Sequence, residues 1–281
     1  MSRYIFSGHE SFHCKSLWLK KGYDYILANN SFTDIDAVVK LGVGKNMVSS
    51  IRFWLRAFGL SQMDKPTQIA TYLFDTEIGK DPYAEDLNTL WLLHFLLVYS
   101  DISSIYNLVF IEYQREKKEF SKEDLKNVIK RKCASPEQKN VYNENTVKKD
   151  INVLLKNYVA PKDLKAIDDF SALLIGLGLL VSKDTETYTY HITGTTEIAN
   201  EVILFALLSI SNGDKTISFD MLQKLSLIFC LPITSLIDII REIEKQYSGS
   251  IVFSDNSGIK NVQLLKNLDR FDVLNKYYDT I

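Results

Sequence analysis

The chain has 281 residues, 46% apolar and 24% charged, with a formal net charge of −2. This is a globular balance with room for one large core or two to three small ones, and the near-zero charge excludes a general polycation, so any nucleic-acid contact has to be local. Three widely spaced cysteines (Cys14, Cys133 and Cys230) exclude a disulfide frame, and a cytoplasmic protein without membrane contact is expected, since MSRYIFSGHESF lacks an apolar signal core and the run Leu90–Val98 is too short to span a bilayer.

Five prolines and twelve glycines suit a mainly helical chain. Tyr4–Phe6 reads as a short extended piece that Ser7 caps, and Phe12, Leu17, Trp18 and Leu19 lead into a helix running to about Ala28. The stretch Asp34–Leu60 reads as two helices around a glycine turn. Ala37, Val38 and Leu41 give the first helix a buried face, Gly42 ends it, and Val48, Ile51, Leu55 and Phe58 stripe the second. Leu41, Gly42, Val43, Val48 and Ile51 fall in the register of a helix-turn-helix, whose second helix enters a major groove. Lys45, Asn46, Ser49, Ser50, Arg52, Phe53 and Arg56 would then face the groove, and no Asp or Glu occurs between Ala37 and Leu60. Such patterns also serve protein contacts.

Gln62–Phe74 shows no helical period. Its β-prone part, Ile69–Phe74, suits the wing of a winged helix or an ordinary loop. Asp81-Pro82 reads as a helix start with Glu85 and Asp86 in or near the first turn, and Leu87–Tyr99 is apolar almost all round, as a buried core helix is. Ile102–Tyr113 continues as helix. Composition shifts to mixed charge after Arg115, with Ser121 capping a surface helix. Asn145 opens another helix, striped by Val147, Ile151, Leu154, Leu155 and Tyr158, with Lys148, Lys149, Asn152 and Lys156 off the stripe: a second candidate recognition helix or a solvated lysine face. Phe170–Leu180 reads as helix, followed by a hairpin around Asp184–Thr187. The pattern returns with helices over Thr196–Ile210, Phe219–Phe229 and from Pro232 to about Tyr247, then a hairpin over Ile251–Leu264. Asp238, Glu242 and Glu244 on the last of these helices point to a structural or protein-binding module.

Three clusters look like chemistry. His9-Glu10-Ser11-Phe12-His13 matches H-E-x-x-H, which on a helix would present two zinc ligands and a base. No third ligand stands at the customary spacing, so anchoring of the N-terminal segment is the expectation. Gly42-Val43-Gly44-Lys45 has part of a phosphate loop, but Asn46 stands where Ser or Thr is needed, and no strand precedes it. Asp81, Glu85, Asp86 and His94 form the one acidic-plus-histidine cluster; a hydrolytic metal site could use it, and a helix start explains it without metal.

Gly42–Leu60 also resembles the signature of a bacterial and archaeal domain family of unknown function with a GVGKNMV motif. FSGHESF (Phe6–Phe12), WLKKG (Trp18–Gly22), DPYAEDLNTLWLLH (Asp81–His94) and NTVKKDI (Asn145–Ile151) are similar to its other blocks, as are SGIKNVQLL and the closing Tyr277-Tyr278. The resemblance spans nearly the whole chain. It implies antiphage defence, near genes like the sulfur-transfer enzymes of DNA phosphorothioation, without assigning an activity.

The expected architecture is mainly α with short β-hairpins, in tandem winged-helix-like modules: 1–117, 118–194 and 195–281. The expected function is a DNA-binding accessory or regulatory protein of a phosphorothioation-type defence system. It would be non-enzymatic, without cofactor or metal, and would contact double-stranded DNA through Lys45, Asn46, Ser49, Ser50, Arg52, Arg56, Lys148 and Lys149. Sulfur-transfer modification enzymes are the expected protein partners. A scaffold for modification enzymes, or a metal-dependent nuclease or hydrolase at the Asp81 cluster, are the alternatives.

Overall fold

The computed structural model describes residues 3–100, 102–161, 171–192, 198–256 and 259–280. About half of the chain is helical, with small antiparallel sheets, which makes it a mixed α/β protein. It divides into two compact units, Met1–His191 and Ile192–Ile281.

The first unit begins with helix α1 (Trp18–Leu27), whose Trp18, Leu19, Tyr23 and Ile26 are buried. Helix α2 (Ala37–Leu41) ends at Gly42, which takes a left-handed φ of 61° and turns the chain into helix α3 (Lys45–Ala57). Helices α1 and α3 close on each other at Gly22, where a Cβ would sit 2.7 Å from Ile51 Cγ2 and 2.8 Å from Leu55 Cδ1. Gly22→Ala is therefore expected to destabilise. Overpacking costs about 1–3 kcal/mol, and the better helix propensity of alanine returns at most about 1 kcal/mol. A lower urea midpoint at unchanged slope is the readout.

Strands β1 (Ser61–Gln62) and β2 (Lys65–Pro66) form a minimal hairpin whose turn residues, Met63 and Asp64, both have positive φ. The β-prone segment expected as a wing is instead helix α4 (Gln68–Phe74). Its Ala70, Leu73 and Phe74 recur at helical steps and are buried, and this packing overrides local β propensity.

The next helix starts later than the Asp81-Pro82 signal suggests. Ala84 has a positive φ of 52°, which breaks helical continuity, and helix α5 (Leu87–Tyr99) begins after Asp86. The Asp86 carboxylate accepts the amides of Asn88 and Thr89 as the N-cap, while Asp81 accepts those of Glu85 and Asp86 across the preceding turn. Asp86→Ala is expected to cost about 0.5–2 kcal/mol, measurable by thermal denaturation. Helix α5 is buried nearly throughout, as its all-round apolarity requires.

Helix α6 (Ser104–Asn107) runs through a π-helical stretch (Leu108–Tyr113) into α7 (Gln114–Glu116). Strand β3 (Glu119–Ser121) follows, then helix α8 (Lys122–Lys132), which Ser121 and Asp124 start with a reciprocal capping box. Helix α9 (Glu144–Tyr158) is capped by Asn143, two residues before the expected Asn145. Strands β4 (Leu180–Ser182) and β5 (Thr187–Tyr190) complete a sheet of order β3-β5-β4, in which Phe120 lies opposite Tyr188. The helix expected over Phe170–Leu180 is not formed in its described part, which holds a 3-10 turn (Ile175–Leu177) closed by Gly178 at φ 60°; Phe170 lies outside the described residues.

The second unit comprises α10 (Asn200–Ser211), β6 (Thr216–Ser218), α11 (Phe219–Ile228), α12 (Ile233–Gln246), β7 (Ile251–Asn256), β8 (Ile259–Leu264) and α13 (Arg270–Tyr278), with sheet order β6-β8-β7. Its expected helices and hairpin fall on these elements; Thr196 and the hairpin residues Ser257 and Gly258 lie outside the described residues. Among the described residues no single helix is long and apolar enough to cross a membrane.

Candidate nucleic-acid interface

The inner face of α3 is fixed first. Val48, Ile51, Phe53, Trp54, Leu55 and Ala57 are buried, and Trp54 packs among Phe53, Phe58, Tyr106 and His9. The Trp54 indole N–H donates to the Phe12 carbonyl at 3.2 Å. The segment Ser7–Ser11 wraps this face through consecutive positive φ values, and Gly8, at φ 107°, comes so near Phe53 that a Cβ would lie 2.5 Å from its ring. No side chain fits there.

His9 is the buckle of the wrap. Its Nδ1 accepts the Ser11 amide hydrogen at 3.1 Å, so the ring proton sits on Nε2, which donates to Asp150 Oδ1 at 2.9 Å. Both Asp150 oxygens also accept the Ser7 amide. One α-helical step further along α9, Asn157 accepts the Cys14 amide and donates to the Tyr106 hydroxyl. His9, Asp150 and Asn157 are all buried. Residues 9–13 form a turn, not a helix, so His9 and His13 do not share a helical face, and the zinc-protease likeness ends there. Among the described residues no group of three His, Cys, Asp or Glu side chains could hold a metal. His94, expected beside Asp81, instead meets the Tyr158 hydroxyl through Nδ1 at 2.7 Å in the core. Burial pushes the Cys14 and Cys133 thiols up, which disfavours the thiolates that sulfur chemistry needs.

The outer face of α3 is polar and cationic. Lys45, Asn46, Ser49 and Arg56 are exposed. Arg52 is partly exposed and held by Asp64 of the β1–β2 turn through a two-pronged ion pair, Nε to Oδ1 at 2.9 Å and an amino nitrogen to Oδ2 at 2.6 Å. Two expected groove-facing residues are not there. Ser50 is fully buried, and its hydroxyl has no hydrogen-bond partner among the described residues; Phe53 is buried against His9 and Trp54. Helical geometry is the reason: Ser50 lies three and four residues from Phe53 and Trp54 and shares their side. Lys148 and Lys149 are exposed on α9, with Lys148 paired to Glu144 at 2.8 Å, and neither lines the α3 surface.

Lys45, Ser49, Arg52 and Arg56 line a cavity of about 720 Å³, walled opposite by Phe32–Ala37 and closed at one end by Gly8. Its floor is the buried apolar set Phe32, Ala37, Val48 and Phe53. Three cations on an apolar floor can hold an anion attached to a flat or greasy body. Asp150 and Asn157, which hold the wrap over α3, were not singled out from sequence. The signal was there: both are polar residues at three-residue steps from Val147 and Leu154, inside an apolar stripe.

Two solved structures are similar over 99% of this chain and 88% of theirs: "Magnesium ion-bound SspB crystal structure", at 25% identity and a TM-score of 0.86, and "SspB crystal structure", at 26% and 0.85. Among curated proteins nothing matches. The family described as "Protein of unknown function (DUF4007)" matches residues 6–278, and the chain therefore belongs to the DUF4007 family.

Proposed function

We propose that this protein is a DNA-binding component of a phosphorothioation-type defence system and contacts duplex DNA through the outer face of α3. The observation that carries the reading is the surface itself: Lys45, Arg52 and Arg56 with Asn46 and Ser49, on a helix without a carboxylate. Burial of Lys45, Asn46 and Ser49 would have excluded it, and all three are exposed. The similarity to SspB supports placement in a DNA-modification system with sulfur-transfer enzymes as partners. Lys148 and Lys149 on α9 would supply further phosphate contacts.

We read the architecture as winged-helix-like. The order helix, strand, helix, helix, strand, strand occurs twice, as α7-β3-α8-α9-β4-β5 and as α10-β6-α11-α12-β7-β8, and the two sheets share one strand order. On this reading 1–117, 118–194 and 195–281 are the functional modules, and the acid-bearing α12 serves protein contact rather than DNA.

The test is a titration against duplex DNA at two salt concentrations, with and without backbone phosphorothioates. Binding that weakens steeply with salt supports the reading. Absence of binding, with modification enzymes still captured, makes the protein a scaffold.

A metal-dependent hydrolase is the second reading, favoured by the magnesium ion of one similar structure. With no three-ligand group among the described residues, magnesium here would rest on one or two carboxylates, water and substrate phosphate. DNA strand cleavage that requires magnesium and stops with chelator would establish it.

A further inference from the structure

The cavity beside α3 has a shape that a helix lying flat in a major groove does not use. At about 720 Å³ it falls in the size range of small-molecule pockets, about 300–1,000 Å³. Its floor is apolar and aromatic, its rim is cationic, and Asp34, Thr33 and Ser49 add hydrogen-bonding groups. At its mouth stands Ile35, a β-branched apolar residue completely exposed to solvent, with Val39 nearby in sequence and also largely exposed. An apolar side chain held out in water beside a polar-rimmed pocket has no folding role.

We infer that the α3 cavity receives a single nucleotide swung out of the DNA stack, while Ile35 enters the gap that the nucleotide leaves. The inference rests on the reading of α3 as the DNA surface and names what that surface takes. The base would lie over the Phe32, Ala37 and Val48 floor, and its flanking phosphates on Lys45 and Arg56. Arg52 would exchange Asp64 for a phosphate oxygen, which matches its planar fork equally well. Apolar wedges that unstack base steps, and pockets that read an extruded base, are the recurring means of such recognition. Extrusion costs least where the nucleotide is already unpaired.

The probe is a short DNA duplex with one bulged 2-aminopurine, compared with the same duplex fully paired. Affinity is followed by anisotropy, and unstacking by 2-aminopurine fluorescence. The protein is expected to bind the bulged duplex about tenfold more tightly than the paired one, with a rise in fluorescence at saturation. Thr33→Trp, which fills the cavity from an exposed wall position, is expected to bring that ratio to about one, and Ile35→Ala to lower it. Thermal melting checks that both variants fold. Binding to both duplexes with equal affinity overturns the inference and leaves the DNA-binding reading standing. A preference that survives in Thr33→Trp also overturns it, because the nucleotide is then held elsewhere. Failure to bind either duplex overturns the DNA-binding reading, and the inference with it.

Discussion

Asp150→Ala is expected to cost about 3–5 kcal/mol of stability, the loss typical when one partner of a buried ion pair is removed. Asp150 is 1% exposed and satisfies three donor contacts: His9 Nε2–H and the Ser7 amide on both oxygens. Alanine leaves that ring nitrogen and that amide buried without an acceptor, and each uncompensated group adds its own desolvation cost. Asp150→Asn keeps one acceptor oxygen and should be milder. Combining His9→Ala with Asp150→Ala should cost less than the sum of the two, by about 0.5–3 kcal/mol, since each single change already breaks the shared contact. Urea unfolding of the four proteins measures this. Loss of under 1 kcal/mol in Asp150→Ala would mean that the wrap over α3 is held by packing alone.

The consequence reaches the surface. The wrap seats Gly8 on Phe53 and His9 on Trp54, and these two side chains set the rotation of α3 about its axis. The FSGHESF and NTVKKDI blocks, separated by some 140 residues of sequence, are thus two halves of one buried joint. GVGKNMV supplies the turn and the start of the helix that the joint orients.

Much of this was legible in the sequence. The stripe Val48, Ile51, Leu55 named the buried side of α3, and Gly42 named its turn, because helical period and a left-handed corner are local properties. The apolar α5 and the Asp184 hairpin were legible for the same reason. What stayed hidden depends on contacts between distant segments. Ser50 looked like a surface hydroxyl but sits inside, because the face of α3 buried by α1 and the N-terminal wrap is wider than its aliphatic stripe. Asp81 looked like a helix cap, yet the left-handed Ala84 moves that role to Asp86. Strands β3 and β6 carry three residues each and exist only because a later strand pairs with them. Arg52 read as a free groove contact, but Asp64, twelve residues on, holds it.

The second large effect is on DNA affinity. Lys45 at the start of α3 and Arg56 near its end are both exposed, and neither has an acidic neighbour on the helix. Each is expected to contact phosphate, so Lys45→Ala and Arg56→Ala should each weaken binding about equally on all sequences and lower the salt slope by about one. Asn46 is placed to pair with adenine through its amide, and Asn46→Ala should cost about 1–3 kcal/mol on a preferred site only. Stability should barely change in any of the three, since exposed substitutions usually stay within about 0.5 kcal/mol.

The most direct measurement is therefore the DNA affinity of wild type and of Lys45→Ala/Arg56→Ala on one duplex, titrated between about 50 and 200 mM salt. Tight, steeply salt-dependent binding by the wild type, with a slope lower by about two in the folded double variant, is the expected result. Equal affinity and equal slope in the two proteins would show that DNA is not held by the outer face of α3.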